Sequence, residues 1–307
     1  MEGIGFQNGQ IPKGIRMMEW IVRNCRKSDS LAVRGPATLL FPDAFFETFY
    51  SMPEFGAGSM KRPLFSLSFD CDFRADNEAL PQLIEVLSSY EVKCDFAAIG
   101  KWVEEYPRAY SKVLDSGHDL INHTYTHPNN EELSPGRYFK DLSTQEKREE
   151  IVKCHEAVRK ELGYEMKGYR TPHFGVQWTH DVYGILEGIG YKFSSSVIAS
   201  KAEKFVPYWV GQIIEFPVSI CPKHPFSTFD SYHVVRAGKH TAEEFLGIFR
   251  LMMEKCKKES LFVNLYFDPQ DVASLREFGH MLEALHESKV EMLRLGQVAG
   301  RLGEFLG

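Results

Sequence analysis

Six ionisable residues of this chain stand where short apolar runs stop. Asp70 and Asp72 follow Leu64–Phe69, and His123 and His127 follow Asp119–Asn122. Arg170 ends the run at 168–170, and Asp268 follows Leu261–Phe267. Asp72, His123 and His127 make a candidate metal triad. Two imidazoles and one carboxylate suit Zn²⁺ or a similar borderline divalent ion, with positions left for water. The His-x-x-x-His spacing lets both rings point one way if the segment turns helically. The pair alone is a weak signal, because 11 histidines in 307 residues make chance pairs common. Two exposed loop histidines are the plain alternative, and Asp70 and Asp72 could simply cap the next element. Neither alternative explains why both motifs follow strand-like runs. Cys71 lies between the two aspartates; a thiolate could bind zinc, but strand alternation sends it to the core if its neighbours face the site.

The elements that would position these residues alternate in type. Strand-like runs at 64–69, 94–99, 119–122, 168–170, 193–196, 213–217 and 261–267 are separated by helical patterns. Those patterns cover 78–90, 106–116, 140–162, 180–189, 241–258 and 272–288. Thr144 reads as the N-cap of the long charged helix and Gly190 as a C-terminal stop. Such alternation predicts βα units and a parallel sheet. Polar groups gathered at the carboxyl ends of parallel strands are where α/β barrels carry their sites. Residues 1–62 read as an irregular N-terminal extension, with 63–307 as one barrel. Within the extension, 15–27 forms a short amphipathic helix ringed by Arg16, Arg23, Arg26 and Lys27. Such a helix can lie on an anionic membrane or pack on the barrel exterior.

Composition limits the function classes. Lys and Arg number 36 and Asp and Glu 42, giving a charge of −6 and a pI near 6.0. That is not the footprint of a nucleic-acid binder. No run approaches the roughly 18 apolar residues of a membrane span. The polar start, Met1–Lys13, does not read as a secretory leader, so a cytoplasmic protein is expected, with peripheral contact at the inner membrane face as an option. The six cysteines are dispersed with no Cys-x-x-Cys pair, which argues against a zinc ribbon or a disulfide framework.

Taken together, these residues carry a resemblance. Ser-Phe-Asp70-Cys-Asp72, Gly117-His-Asp-Leu-Ile-Asn-His123-Thr-Tyr-Thr-His127, Tyr169-Arg170-Thr-Pro172-His173 and Glu215-Phe-Pro217 resemble, in order and spacing, the motifs of the polysaccharide deacetylases. This is the NodB-homology group, carbohydrate esterase family 4, and the Asp-x-Asp form is similar to its peptidoglycan-deacetylase-like members. The resemblance implies a distorted (β/α)7 barrel. It makes Asp70 the catalytic base, Arg170 its partner, and Asp72, His123 and His127 the ligands of a divalent metal. Zn²⁺ is the first choice, with Co²⁺, Ni²⁺ or Mn²⁺ as alternatives. Pro172, His173 and Tyr125 are expected to contact substrate, although His173 departs from the Tyr usual there. A second departure is sharper: the family's proton-donating His near the last strand is here Asp268. Three readings stay open. Asp268 could act as an acid if burial raised its pKa, His173, His233 or His240 could give the proton, or catalysis could be weak. The implied activity is removal of an N-acyl group, N-acetyl above all, from an amino sugar in a glycan or glycan precursor. The alternatives are an impaired glycan-binding protein on the same scaffold, or a related amide hydrolase such as a deformylase or a ureide or cyclic-imide hydrolase.

Overall fold

The computed structural model describes residues 17–26, 32, 36, 40, 60–199, 206–222, 224–238 and 240–306. Among these described residues eleven strands are formed. They are β1 (Leu64–Asp70), β2 (Asp95–Ala98), β3 (Asp119–Asn122), β4 (Gly168–Tyr169), β5 (Phe193–Ser194), β6 (Tyr208–Val210), β7 (Ile213–Glu215), β8 (Ile220–Cys221), β9 (His224–Thr228), β10 (Phe262–Phe267) and β11 (Glu291–Met292). The helices, renumbered in chain order, are α1 (Met17–Arg26), α2 (Arg74–Ser89), α3 (Gly100–Glu105), α4 (Pro107–Asp115), α5 (Thr144–Leu162), α6 (Phe174–Gln177), α7 (Val182–Gly188), α8 (Ala242–Glu259), α9 (Pro269–Val272), α10 (Arg276–Ser288), α11 (Leu295–Gly300) and α12 (Leu302–Phe305).

Strands β10, β1, β2, β3, β4, β5 and β7 lie side by side in that order, every neighbouring pair parallel. This is the (β/α)7 arrangement. The ends of the curled sheet meet just beyond β7: the Ser219 N–H donates to the Asn264 carbonyl at 2.9 Å. The Asn264 side-chain amide donates to the carbonyls of Phe216 and Pro217 at 3.1 and 3.3 Å. An Asn inside an apolar strand would be costly unpaired; here its amide joins the two edges.

Strand alternation sorts the core into two parts. Phe65, Leu67 and Phe69 of β1 face the helical layer, where Phe249 of α8 and Phe278 of α10 meet them edge-on. Leu64 and its counterparts Ala97, Ile121, Phe193, Ile214 and Phe262 face inward and pack on Leu295, Val298, Leu302 and Phe305 of α11 and α12. These last helices therefore plug the end of the barrel where the strands begin. The opposite end, where the strands finish, holds the ionisable groups.

Two expectations need correction. The N-cap of α5 is Ser143, whose Oγ accepts from the Glu146 N–H, rather than Thr144. The helix expected at 272–288 begins later, at Arg276 as α10, while Val272 ends the separate short helix α9. In α1, Val22 is fully buried in the main core, so that face packs on the rest of the chain. The remainder of 1–59, apart from residues 32, 36 and 40, lies outside the described residues. Among the described residues, no helix is long and apolar enough to cross a membrane.

Asp95, at the start of β2, is a buried carboxyl in the plugged end. Its Oδ2 accepts from the Leu295 N–H at 2.9 Å, while Oδ1 has no partner. Burial pushes it up to about 7 from an ordinary 3.8, with Asp119 nearby adding to the rise. A carboxyl with a raised folded pKa favours the fold at low pH, and that contribution is lost as the pH rises through the folded value. Asp95→Asn is thus expected to stabilise the protein at pH 8 by up to about 4 kcal/mol, the gain shrinking toward zero near pH 4. Thermal melts of both proteins across that range check it; an equal gain at both ends would refute the assignment.

Candidate metal centre and active site

The site is built where β1, β3 and β4 end. Asp72 leaves β1 into the N-terminus of α2, and its backbone carbonyl is held by Trp102 Nε1 at 3.0 Å and Asn130 Nδ2 at 2.6 Å. Asp72 Oδ1 lies 3.2 Å from His123 Nε2 and 3.3 Å from His127 Nε2. Donor atoms on one tetrahedral Zn²⁺ stand about 3.4 Å apart. All three donors are buried and make no hydrogen bond, a costly condition for polar atoms unless something else binds them. Among the described residues, these three form the one group of this kind.

Neighbouring groups orient the donors, and Asp70 and Asp72 raise His123 against the effect of burial. His123 Nδ1 meets the Arg170 carbonyl at 2.9 Å. A carbonyl only accepts, so Nδ1 carries the hydrogen and Nε2 presents its lone pair to the centre. Burial lowers His127 to about 3 against the pull of Asp72, which keeps that ring neutral. Burial works against the Asp72 carboxylate, and the positive charge that His127 and His123 carry when protonated holds it below its usual range. The His127 backbone takes a positive φ of 49°, as do Thr124 at 69° and Asn129 at 73°. Non-glycine residues pay for such conformations. Glu150 of α5 helps to fix this turn, its carboxylate accepting from the Tyr125 and Thr126 N–H groups at 3.1 and 2.9 Å.

Beside the triad, Asp70 and Arg170 form a buried ion pair. The guanidinium is fully enclosed, and Nη1 donates to Asp70 Oδ1 at 2.6 Å and to Ser68 Oγ at 2.8 Å. Nε donates to the Ser195 carbonyl at 3.1 Å and Nη2 to Ser195 Oγ at 3.0 Å. Burial raises the Asp70 carboxyl above its ordinary range, with Arg170 and His123 pulling back. Its second oxygen, Oδ2, lies 3.8 Å from His123 Nε2 and faces the same centre. Cys71 does turn to the core: it is fully buried, and burial pushes its thiol well above the usual range. It is not a thiolate ligand.

The profile of the family described as polysaccharide deacetylase matches residues 57–194, the stretch that supplies all five of these groups. Over those residues the chain matches the polysaccharide deacetylase family. A peptidoglycan-N-acetylglucosamine deacetylase of Bacillus cereus is 28% identical over 117 residues, which are 38% of this chain and 38% of the relative. A chitooligosaccharide deacetylase of Bradyrhizobium is 26% identical over 102 residues, 33% of this chain and 42% of the relative. The chain thus spans less than half the length of the curated relatives it matches. Among solved structures, a polysaccharide deacetylase of Mycobacterium smegmatis superposes with a TM-score of 0.62 at 16% identity, covering 78% of this chain and 90% of the other. A family 4 pseudoenzyme of Bacillus anthracis superposes with a TM-score of 0.53 at 17% identity, covering 78% and 66%. The fold is shared with family 4 carbohydrate esterases, a pseudoenzyme among them.

The remaining residues expected in this family's site are placed unequally. His173 stands at the mouth, exposed, its ring 4.8 Å from that of His127 and its backbone at a positive φ of 53°. Pro172 is buried beside it. Tyr125 is not brought to the triad: its ring lies against Gly100, where a side chain would collide, and its hydroxyl donates to Glu104 of α3 at 3.1 Å. Asp268 ends β10 next to Asp70, since Phe267 pairs with Phe69. It is buried and ion-paired with Arg236, which also meets Asp271 at 2.9 Å. The Asp268 carboxylate is thus engaged by Arg236. The side chain of His233 lies outside the described residues. His240 is buried against Cys221, with Nε2 3.6 Å from Sγ.

Sequence reasoning missed the supporting residues Trp102, Asn130, Glu150, Ser195 and Asn264. None has a signal of its own. Glu150 sits in a charged helical stretch that reads as a solvated face, and Ser195 and Asn264 read as polar interruptions of strands.

Proposed function

We propose that this chain is a metal-dependent hydrolase that removes an N-acyl group, N-acetyl above all, from an amino sugar of a glycan. The observation that carries this reading is the convergence of three unpaired, buried donors beside a carboxylate whose partner is a buried arginine. Asp72 Oδ1, His123 Nε2 and His127 Nε2 would hold a divalent ion, Zn²⁺ by donor type. Such an ion, when bound, supplies Lewis-acid polarisation of the amide carbonyl and activation of a water. Asp70 takes the proton of the attacking water on Oδ2, while Arg170 holds Oδ1 and fixes the plane of the carboxylate. Cleavage of the amide leaves an amine that needs a proton. His173 is the exposed imidazole beside the centre and is assigned that transfer, with Asp268 left as the anchor of Arg236.

The test is acetate and free-amine release from N-acetylated chito-oligosaccharides and peptidoglycan fragments, before and after chelation. Equimolar acetate and amine, lost on chelation and restored by Zn²⁺, is the expected result. No release from a metal-loaded protein would refute it. Glycan binding without turnover is a second reading, favoured by the Arg236–Asp268 pair standing where the family resemblance expects a histidine. Asp268→His separates the two: a rise from no detectable release supports the binding protein, and a change of less than about tenfold supports the enzyme.

A further inference from the structure

The geometry points to a second ligand site at the opposite end of the barrel, one that takes a sugar ring carrying an anionic group. A cavity of about 430 Å³ opens where β3, β4, β5 and β7 begin, within the size range of small-molecule sites. It lies away from the triad: Asp119 lines it at the start of β3, and His123 is four residues further along, about 13 Å at strand rise. Its floor is apolar, made by Leu120, Phe193 and Ile214, and Gly296 and Ala299 of α11 leave the space open on one side.

Trp209 forms the rim. It is 58% exposed, and among the described residues no aromatic ring packs on it. An indole is a large apolar surface normally placed in contact, so its exposure here is informative. The side chain is also carried on a fixed element. Trp209 pairs with Ile214 across the β6–β7 hairpin, whose turn passes through Gly211 at a φ of +59°. Glu187 pins that turn by accepting from the Gln212 N–H at 2.6 Å. A flat, fixed apolar face suits the C–H face of a pyranose.

Charge selects among sugars. Lys167 and Lys192 both line the cavity, and among the described residues neither has a carboxylate partner. Asp119 is already engaged, accepting from Arg294 at 2.9 Å and from the Tyr164 hydroxyl at 3.2 Å. The cavity lining thus sets two ammonium groups against one carboxylate, itself paired with Arg294, on a chain whose net charge is −6. Carboxylate and phosphate sugars share the required chemistry.

Calorimetric titration of the full chain with glucuronic acid, glucose 6-phosphate, glucose and inorganic phosphate tests this assignment. The acidic sugars are expected to bind saturably, and glucose and inorganic phosphate at least tenfold more weakly. Trp209→Ala should abolish binding, and Lys167→Met with Lys192→Met should reduce acidic sugars to the level of glucose. The readout does not depend on hydrolysis, so a failure of the proposed activity leaves it intact. Absence of saturable binding, equal affinity for glucose, equal affinity for inorganic phosphate, or binding untouched by the Lys or Trp variants would each overturn the site. Tighter binding of one acidic sugar over the other identifies the anionic group it takes.

Discussion

Asp70→Asn is expected to lower acetate release by about 10³-fold while leaving one divalent ion bound per chain. The amide keeps an oxygen for Arg170 but has no basic oxygen on the Oδ2 side, so the water proton has no acceptor. The proposed triad leaves Asp70 out, because the donor atoms of Asp72, His123 and His127 meet one another without it. Turnover measured beside elemental metal analysis separates the two effects. Loss of both metal and activity would instead make Asp70 a ligand. Activity within about tenfold of native would remove it from the reaction.

Arg170→Met is the second large effect, and it acts on the fold as well as on the chemistry. The guanidinium has no solvent exposure and donates to four acceptors on three residues. Removing one partner of a buried pair leaves the other charge uncompensated, at a cost of about 3–5 kcal/mol. Arg170→Lys is not a conservative rescue, because an ammonium cannot reproduce a planar fork reaching Ser195, Ser68 and Asp70 together. Chemical denaturation should show that loss in both single variants. The double variant Asp70→Asn with Arg170→Met should be less destabilised than the sum of its parts, because neither charge is then stranded. Strict additivity would mean that the two residues are not an energetic pair.

These two residues also show how much of the site is legible in the sequence. Asp70, Asp72, His123, His127 and Arg170 are visible because each interrupts an apolar run at a strand end, and in a parallel barrel such ends converge. The order of those runs gave the βα alternation and hence the sheet. The network behind them was not legible. Ser68, Ser195 and Asn264 are polar residues buried within or beside strands, and the Arg170 cradle exists only once the sheet curls to bring the ends of β1 and β5 around Arg170. Glu150 is indistinguishable from its charged helical neighbours until its carboxylate is seen on the 124–127 turn. Asp268 was legible as a departure, but its partner Arg236 lies in a π-helical turn at Tyr232–Arg236, which has no periodic signature. The surroundings of Tyr125 were hidden for a related reason: its ring lies against Gly100, and only the packed α3 reveals that.

The most direct test of the account is a metal titration of hydrolysis. Metal-free protein is supplied with increasing Zn²⁺, and acetate release from an N-acetylated chito-oligosaccharide is followed beside bound metal. The account predicts that release rises in proportion to bound ion and stops rising at one equivalent per chain, and that His127→Ala shows neither. Release that is indifferent to bound metal, or a triad filled to one equivalent with no acetate formed, would contradict it.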